Sequence, residues 1–400
     1  MPDPLVAADM PVAADSPVKA IPTDVAEPLE ETPALCLSGG GYRAMVFHIG
    51  VLWRLYEAGM LGGAGGIARI SSVSGGSITA AYLGLKWPQL GVTAPDVNGK
   101  FVPHFVTPLR ELAGETIDAE SVVWGTLLPG GVSDRIAKAY DDALFDGATL
   151  QALPDAPRFV INATNVQSGV LWRFTKKYMW DYRVGKVEKP TVALAKAVAA
   201  SSAFPPVLSP CELRLRESDF TPGTGTDLQK PPYTTKVVLS DGGVYDNLGL
   251  ETAWKRHQTV LVSDAGGKLQ AEEEPKRDWA QHAYRVLNLI DSQVRALRAR
   301  QVIDSFKLQA TEPNSERARK GAYWGIRTDI AEFNLPDALP CPHARTMALA
   351  EIPTRLKRLD SVTQDRLINW GYAVCDAALR AHVNPALKPA PRFPYPASGV

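Results

Sequence analysis

Twice near its start the chain runs from a short apolar stretch into a cluster of small residues and then into a helical pattern. Residues 34–37 end in Ser38-Gly39-Gly40-Gly41, after which Met45, Ile49, Leu52 and Leu55 recur at helical spacing and Gly59 stands where a helix would stop. Residues 67–73, with Ile67, Ile70 and Val73, end in Ser74-Gly75-Gly76, and 78–85 reads as a buried helix. A strand, a glycine-rich turn and a helix, repeated, restrict the chain to an α/β fold: a central mixed, mainly parallel sheet covered by helices.

The rest of the core fits that frame. Residues 158–163 and 171–175 read as strands, paired as a hairpin around Gln167-Ser168-Gly169. Residues 192–203 form a small-residue helix stopped by Pro205 and Pro206. Two more strands, 236–239 and 259–263, each run into Asp and glycines. A long helix is expected over 278–307, with Leu287, Ile290, Val294 and Leu297 on one stripe. Segments 88–103, 217–232 and 384–400 read as loops, and 217–232 is a candidate lid.

Before this core, residues 1–32 are expected to be a disordered acidic leader rich in Pro and Ala. Through Pro33 it carries Asp3, Asp9, Asp15, Asp24, Glu27, Glu30 and Glu31 against Lys19, so seven acids minus one base give −6. One domain, 33–382, with a helical C-terminal part, and a Pro-rich tail, 383–400, complete the expected organisation.

Charge and cysteine usage exclude several classes. Across 400 residues, 43 Lys+Arg balance 43 Asp+Glu, so no global basic field supports nucleic-acid binding. No apolar run reaches the ~18 residues of a membrane span. Cys36, Cys211, Cys341 and Cys375 lie far apart with no zinc-ligand spacing, and Cys36 sits in an apolar run as a small buried hydrophobe. That pattern suits a reducing compartment, hence a cytoplasmic location.

Ser74 is the leading candidate for chemistry. In Ser72-Val73-Ser74-Gly75-Gly76 it lies between strand and helix, where a nucleophile elbow forces a strained backbone and small neighbours. The turn Gly39-Gly40-Gly41 lets backbone N–H groups converge, as an oxyanion hole requires. A phosphate cradle is the rival reading, but G-x-x-x-x-G-K-[ST] is absent and Ala44 breaks G-x-G-x-x-G. No histidine stands in a glycine-punctuated turn; His48 lies within the first helix and reads as a packing residue. Asp241 in Ser240-Asp241-Gly242-Gly243 and Asp264 in Ser263-Asp264-Ala265-Gly266-Gly267 each follow a strand, and pattern alone does not separate them.

Taken in order, Gly39-Gly40-Gly41-Tyr42-Arg43, Ser72-Val73-Ser74-Gly75-Gly76 and Asp241-Gly242-Gly243 resemble the motifs of patatin-like phospholipases. The segment Ala199-Ala200-Ser201-Ser202-Ala203-Phe204-Pro205-Pro206 resembles that family's small-residue block. Ser72 replaces the usual first glycine of the elbow, and Ala44 a glycine often found after the arginine. The resemblance selects Asp241 over Asp264. It implies a Ser74–Asp241 dyad that hydrolyses fatty-acyl esters of phospholipids or lysophospholipids through an acyl-serine, with Gly39, Gly40 and Gly41 as oxyanion donors. Arg43 would support the oxyanion loop or meet a lipid phosphate. No cofactor or metal is implied.

An acyltransferase using the same acyl-serine, or a non-catalytic lipid-binding protein on the same fold, are the alternatives. Residues 276–327 hold eleven Lys+Arg against five Asp+Glu, a surplus of +6 that reads first as the solvated face of a helix, with peripheral contact with an anionic membrane as the alternative.

Overall fold

The computed structural model describes residues 29–63, 65–117, 131–267 and 269–400, so most of the expected acidic leader lies outside the described residues. Ten strands form one sheet: β1 (Ala34–Leu37), β2 (Arg69–Ser72), β3 (Arg158–Asn165), β4 (Val170–Phe174), β5 (Tyr178–Asp181), β6 (Gly185–Glu188), β7 (Cys211–Arg214), β8 (Lys236–Asp241), β9 (Thr259–Asp264) and β10 (Lys320–Gly325). The order β10-β9-β1-β2-β3 is parallel throughout, and β3-β4-β5-β6 continues antiparallel. The mixed, mainly parallel α/β sheet expected from the sequence is what forms.

Five helices matter for the site: α1 (Gly41–Glu57), α2 (Gly75–Leu90), α3 (Leu194–Ser201), α4 (Trp279–Thr311) and α5 (Ser361–His382). β1 is apolar on both faces because both faces are covered. Leu35 and Leu37 enter the large core under α1, α2 and α5, whereas Ala34 and Cys36 join a smaller one with Leu248, Val260, Val262 and Val302. Cys36 is thus a buried hydrophobe, and all four cysteines are buried free thiols.

β3 organises the active edge. Its first half pairs with β2, Ser72 lying opposite Ile161, while Ala163 to Asn165 on the same strand pair with β8 running the other way. The C-terminal ends of β2 and β8 therefore meet head to head, with Asp241 opposite Ala163. One expectation needs correction. Segment 88–103 is not a loop: α2 continues to Leu90, and a wide helical stretch covers Val97–Val106. The stripe expected in α4 leaves Ile290 and Leu297 exposed, while Arg295, Val302 and Ser305 are buried.

Candidate active site

Leaving β2, the chain reverses sharply into α2 at Ser74, whose φ of 50° and ψ of −122° is a conformation that side-chain-bearing residues rarely adopt. The turn is affordable only with glycine on its far side: a Cβ on Gly75 would stand 2.1 Å from the Gly41 carbonyl oxygen, and one on Gly76 2.5 Å from that of Leu37. Beneath the elbow lies a set of hydroxyls. The Ser74 N–H donates to Ser201 Oγ (2.9 Å), the Ser201 and Ser77 hydroxyls share a hydrogen bond (2.9 Å), and Ser77 donates to Ser72 Oγ (3.0 Å). Ser72, where glycine is usual, thus gives the elbow an anchor, its own hydroxyl donating to the Val160 carbonyl.

Asp241 arrives from β8 and is buried, with the Gly243 N–H donating to its Oδ1 (2.6 Å), and it lines the same cavity as Ser74. Burial pushes its pKa up to about 7; the hydrogen bond from Gly243 and the nearby Ser74 side chain oppose the rise, and Asp291 adds to it. The other candidate, Asp264, is fully engaged elsewhere: Tyr323 donates to Oδ2 (2.7 Å), the Gly266 N–H to Oδ1 (2.8 Å), and Arg295 lies 3.9 Å away. Its turn braces the glycine loop rather than Ser74.

The glycine loop is held from three sides. Gly40 (φ 146°) and Gly41 (φ 60°) occupy conformations that favour glycine. His48, buried and kept neutral by a pKa lowered to about 4 through burial, donates from Nε2 to the Ser38 carbonyl (3.0 Å) and accepts at Nδ1 from Ser263 (3.1 Å). Ser38 Oγ accepts the Ala265 N–H (2.7 Å). The Gly39 N–H is committed to Asn247, reaching its carbonyl (3.1 Å) and Oδ1 (3.2 Å), so of the three expected donors only Gly40 and Gly41 are left with N–H groups not engaged by the described residues.

Arg43 is buried and donates to the carbonyls of Ala265 (3.2 Å) and Ile352 and to Thr354 Oγ1 (3.0 Å). Among the described residues no carboxylate lies within ion-pair distance of it. Burial, with Arg295 nearby, lowers its pKa to about 10, so it stays charged at neutral pH.

Two cavities open over Ser74. One, of about 290 Å³, is the more polar and is lined by Gly40, Arg43, Asp241, Asn247, Asp291 and Arg295 among others. The other, of about 380 Å³, is apolar and lined by Phe204, Pro205, Pro206, Val207, Leu208 and Leu356 among others. Ser74, Phe204, Tyr284 and Thr354 border both. Segment 217–232, the expected lid, contributes to neither; it is pinned to the β5–β6 hairpin by hydrogen bonds such as Thr221 N–H to the Lys186 carbonyl (2.8 Å). The cover comes from α4 instead. Sequence reading also missed Asn247, Tyr284 and Arg295 as site residues, which carry no local motif and matter only through contacts made far along the chain.

Fold and site together describe a mixed-sheet α/β protein with a strained serine turn between β2 and α2. The family model described as patatin-like phospholipase matches residues 35–254, more than half of the chain, and the protein belongs to that family of lipid ester hydrolases. None of the curated proteins matches it. Among solved structures, human GIVD cytosolic phospholipase A2 is similar at 13% identity and a TM-score of 0.49, over 88% of this chain and 62% of that one. The same enzyme in complex with methyl gamma-linolenyl fluorophosphonate gives 15% identity and a TM-score of 0.49, over 88% and 59%. VipD from Legionella pneumophila gives 14% identity and a TM-score of 0.35, over 89% and 68%. The chain thus spans under two thirds of the human enzyme's length. Among the described residues no helix is long and apolar enough to cross a membrane.

Proposed function

We propose that the protein is a serine acyl hydrolase of phospholipase A or lysophospholipase type, with Ser74 as nucleophile and Asp241 as its base. The observation that carries this reading is the strained Ser74 turn sharing one cavity with a buried carboxylate, Asp241, whose pKa is pushed up to about 7. A base of that pKa is half ionised at neutral pH and still basic enough to take a proton.

Asp241 accepts the Ser74 proton as Oγ bonds to the ester carbonyl carbon, and the carbonyl π electrons move onto oxygen. The Gly40 and Gly41 N–H groups receive that oxyanion, while Gly39 fixes the loop through Asn247. Arg43, without a paired carboxylate, adds positive potential behind the loop. Collapse expels the alcohol, which takes the proton back from Asp241, and leaves an acyl-serine. Water then loses its proton to Asp241, adds to the acyl carbon, and the fatty acid departs as Ser74 is reprotonated. The apolar cavity suits the acyl chain and the polar cavity the alcohol half with its head group. No step calls for a metal. Four buried free thiols are compatible with the reducing cytoplasm as its location.

The test is labelling with a fluorophosphonate serine probe, comparing wild type with Ser74→Ala and Asp241→Asn. Labelling of the wild type that is lost in Ser74→Ala and falls by about 10²-fold or more in Asp241→Asn is the expected result. Persistent labelling of Ser74→Ala would assign the nucleophile elsewhere.

A further inference from the structure

Up to Arg298, helix α4 turns mainly polar residues toward the protein: Asn288, Asp291 and Arg295 line the more polar cavity, and Arg298 pairs with Glu251 (3.1 Å), whereas farther on Ala299, Val302 and Phe306 pack into the smaller core. Its other side carries Trp279, Val286, Ile290 and Leu297, spaced to share one helix face, and these are 86, 40, 55 and 59% exposed. A surface helix ordinarily shows the reverse arrangement. Scattered exposed apolar residues need no explanation, but a stripe running roughly 27 Å along a helix marks an interaction surface.

Its position says what covers it. From the same turns, α4 gives Ala280, Gln281 and Tyr284 to the lining of the apolar cavity beside Ser74, and Val207, which lines the same cavity, is 46% exposed. The N-terminal end of the stripe therefore lies within one helical turn of residues that line that cavity. Charge around it is balanced: Glu272, Glu273, Glu274 and Asp278 offset Lys276, Arg277, Arg285 and Arg300. The basic surplus of residues 276–327 is reduced at the surface, because Arg295 and Arg319 are buried and Arg298 is turned in to Glu251.

We propose that the Trp279–Leu297 face of α4 docks the protein on a neutral or zwitterionic lipid surface, setting the mouth of the apolar cavity against it. An acyl chain then passes from the lipid layer to Ser74 without crossing water. Association comes from apolar burial in the interface rather than from attraction to anionic head groups. The proposal rests on the lipid-ester reading of the site.

Flotation of the full chain with phosphatidylcholine vesicles tests it, run in parallel with fluorophosphonate labelling in the absence of vesicles. Wild type is expected to float, and raising salt from about 0.05 to about 0.5 M should leave that unchanged. Ile290→Glu with Leu297→Glu should lower partitioning about tenfold or more while vesicle-free labelling persists, and the corresponding double alanine variant should lie between. Equal flotation of wild type and variants would overturn the proposal. So would binding that requires anionic lipid and disappears in salt, or a wild-type dimer that the glutamates dissociate, which would assign the face to a second copy of the chain. Salt-independent flotation lost in the variants, together with no labelling of wild type at all, would uphold the docking face and refute the hydrolase reading.

Discussion

Asp241 sits where solvation and chemistry are in conflict. Its carboxylate is withdrawn from water and, among the described residues, takes the Gly243 N–H in exchange, so its proton is bound more tightly in the folded chain than in the unfolded one. Only the ionised form can accept the Ser74 proton. Activity toward a soluble ester should therefore rise with pH as a single ionisation near 7, and a profile already flat from pH ~5 upward would assign the base elsewhere. Stability has the opposite sign. Because the folded-state pKa is raised, the penalty for ionising Asp241 is absent below about pH 4 and complete above about pH 7. Asp241→Asn should consequently unfold at a higher temperature than wild type at about pH 8, by on the order of 2–4 kcal/mol, and show no such gain at about pH 4. Thermal unfolding monitored at both pH values checks this, and a variant less stable than wild type at the higher pH would contradict it.

At the scale of elements, the pairing of α1 with α5 depends on two facing glycines. A Cβ on Gly50 would stand 1.9 Å from the Ile368 carbonyl oxygen, and one on Gly371 2.0 Å from that of Phe47. Gly371→Ala should force the helices apart and cost about 3 kcal/mol, read as a lower unfolding midpoint in denaturant; an unchanged midpoint would mean that the pair relaxes freely. That contact was not legible in the sequence, since a helical glycine looks the same whether it faces solvent or another backbone. What was legible follows from local chemistry. The apolar strands 34–37 and 259–263 announced themselves, and Ser74, Asp241 and the glycine turn stood out because an elbow and a donor-lined loop admit only small residues in a fixed order. β10 did not, because Gly321 and Gly325 argue against a strand. Yet Gly321 is required there: it has a φ of 133°, and a Cβ on it would meet the Val260 carbonyl oxygen at 1.9 Å. The apolar stripe of α4 was visible but its direction was not, for periodicity reports that a helix has two faces and not which of them is inside. Segment 88–103 misled through Pro88 and Pro103, both of which lie within helical stretches.

The whole molecule extends the sheet beyond the part that matches the family. The match ends at residue 254, yet β9 and β10 continue the sheet beside β1, and α5 covers α1. A buried cluster fastens that cover: Asp376 bridges Arg54 (2.7 Å) on α1 and Arg380 (3.0 Å) on its own helix. Residues after 254 thus hold up the glycine loop as firmly as the motif residues do, through Ser263, Ala265 and Thr354.

The pairing of β1 with β9 has a consequence for anyone trimming the protein to its family match. Removing everything after residue 254 strips β9 away and leaves β1, flat and apolar on both faces, with a bare row of N–H and C=O groups along one side. Such a row is a template for another chain of the same kind. The shortened protein should therefore assemble edge to edge, scattering light as it is concentrated, where the full chain does not; a clear monomeric fragment would show that β1 is protected by some other means.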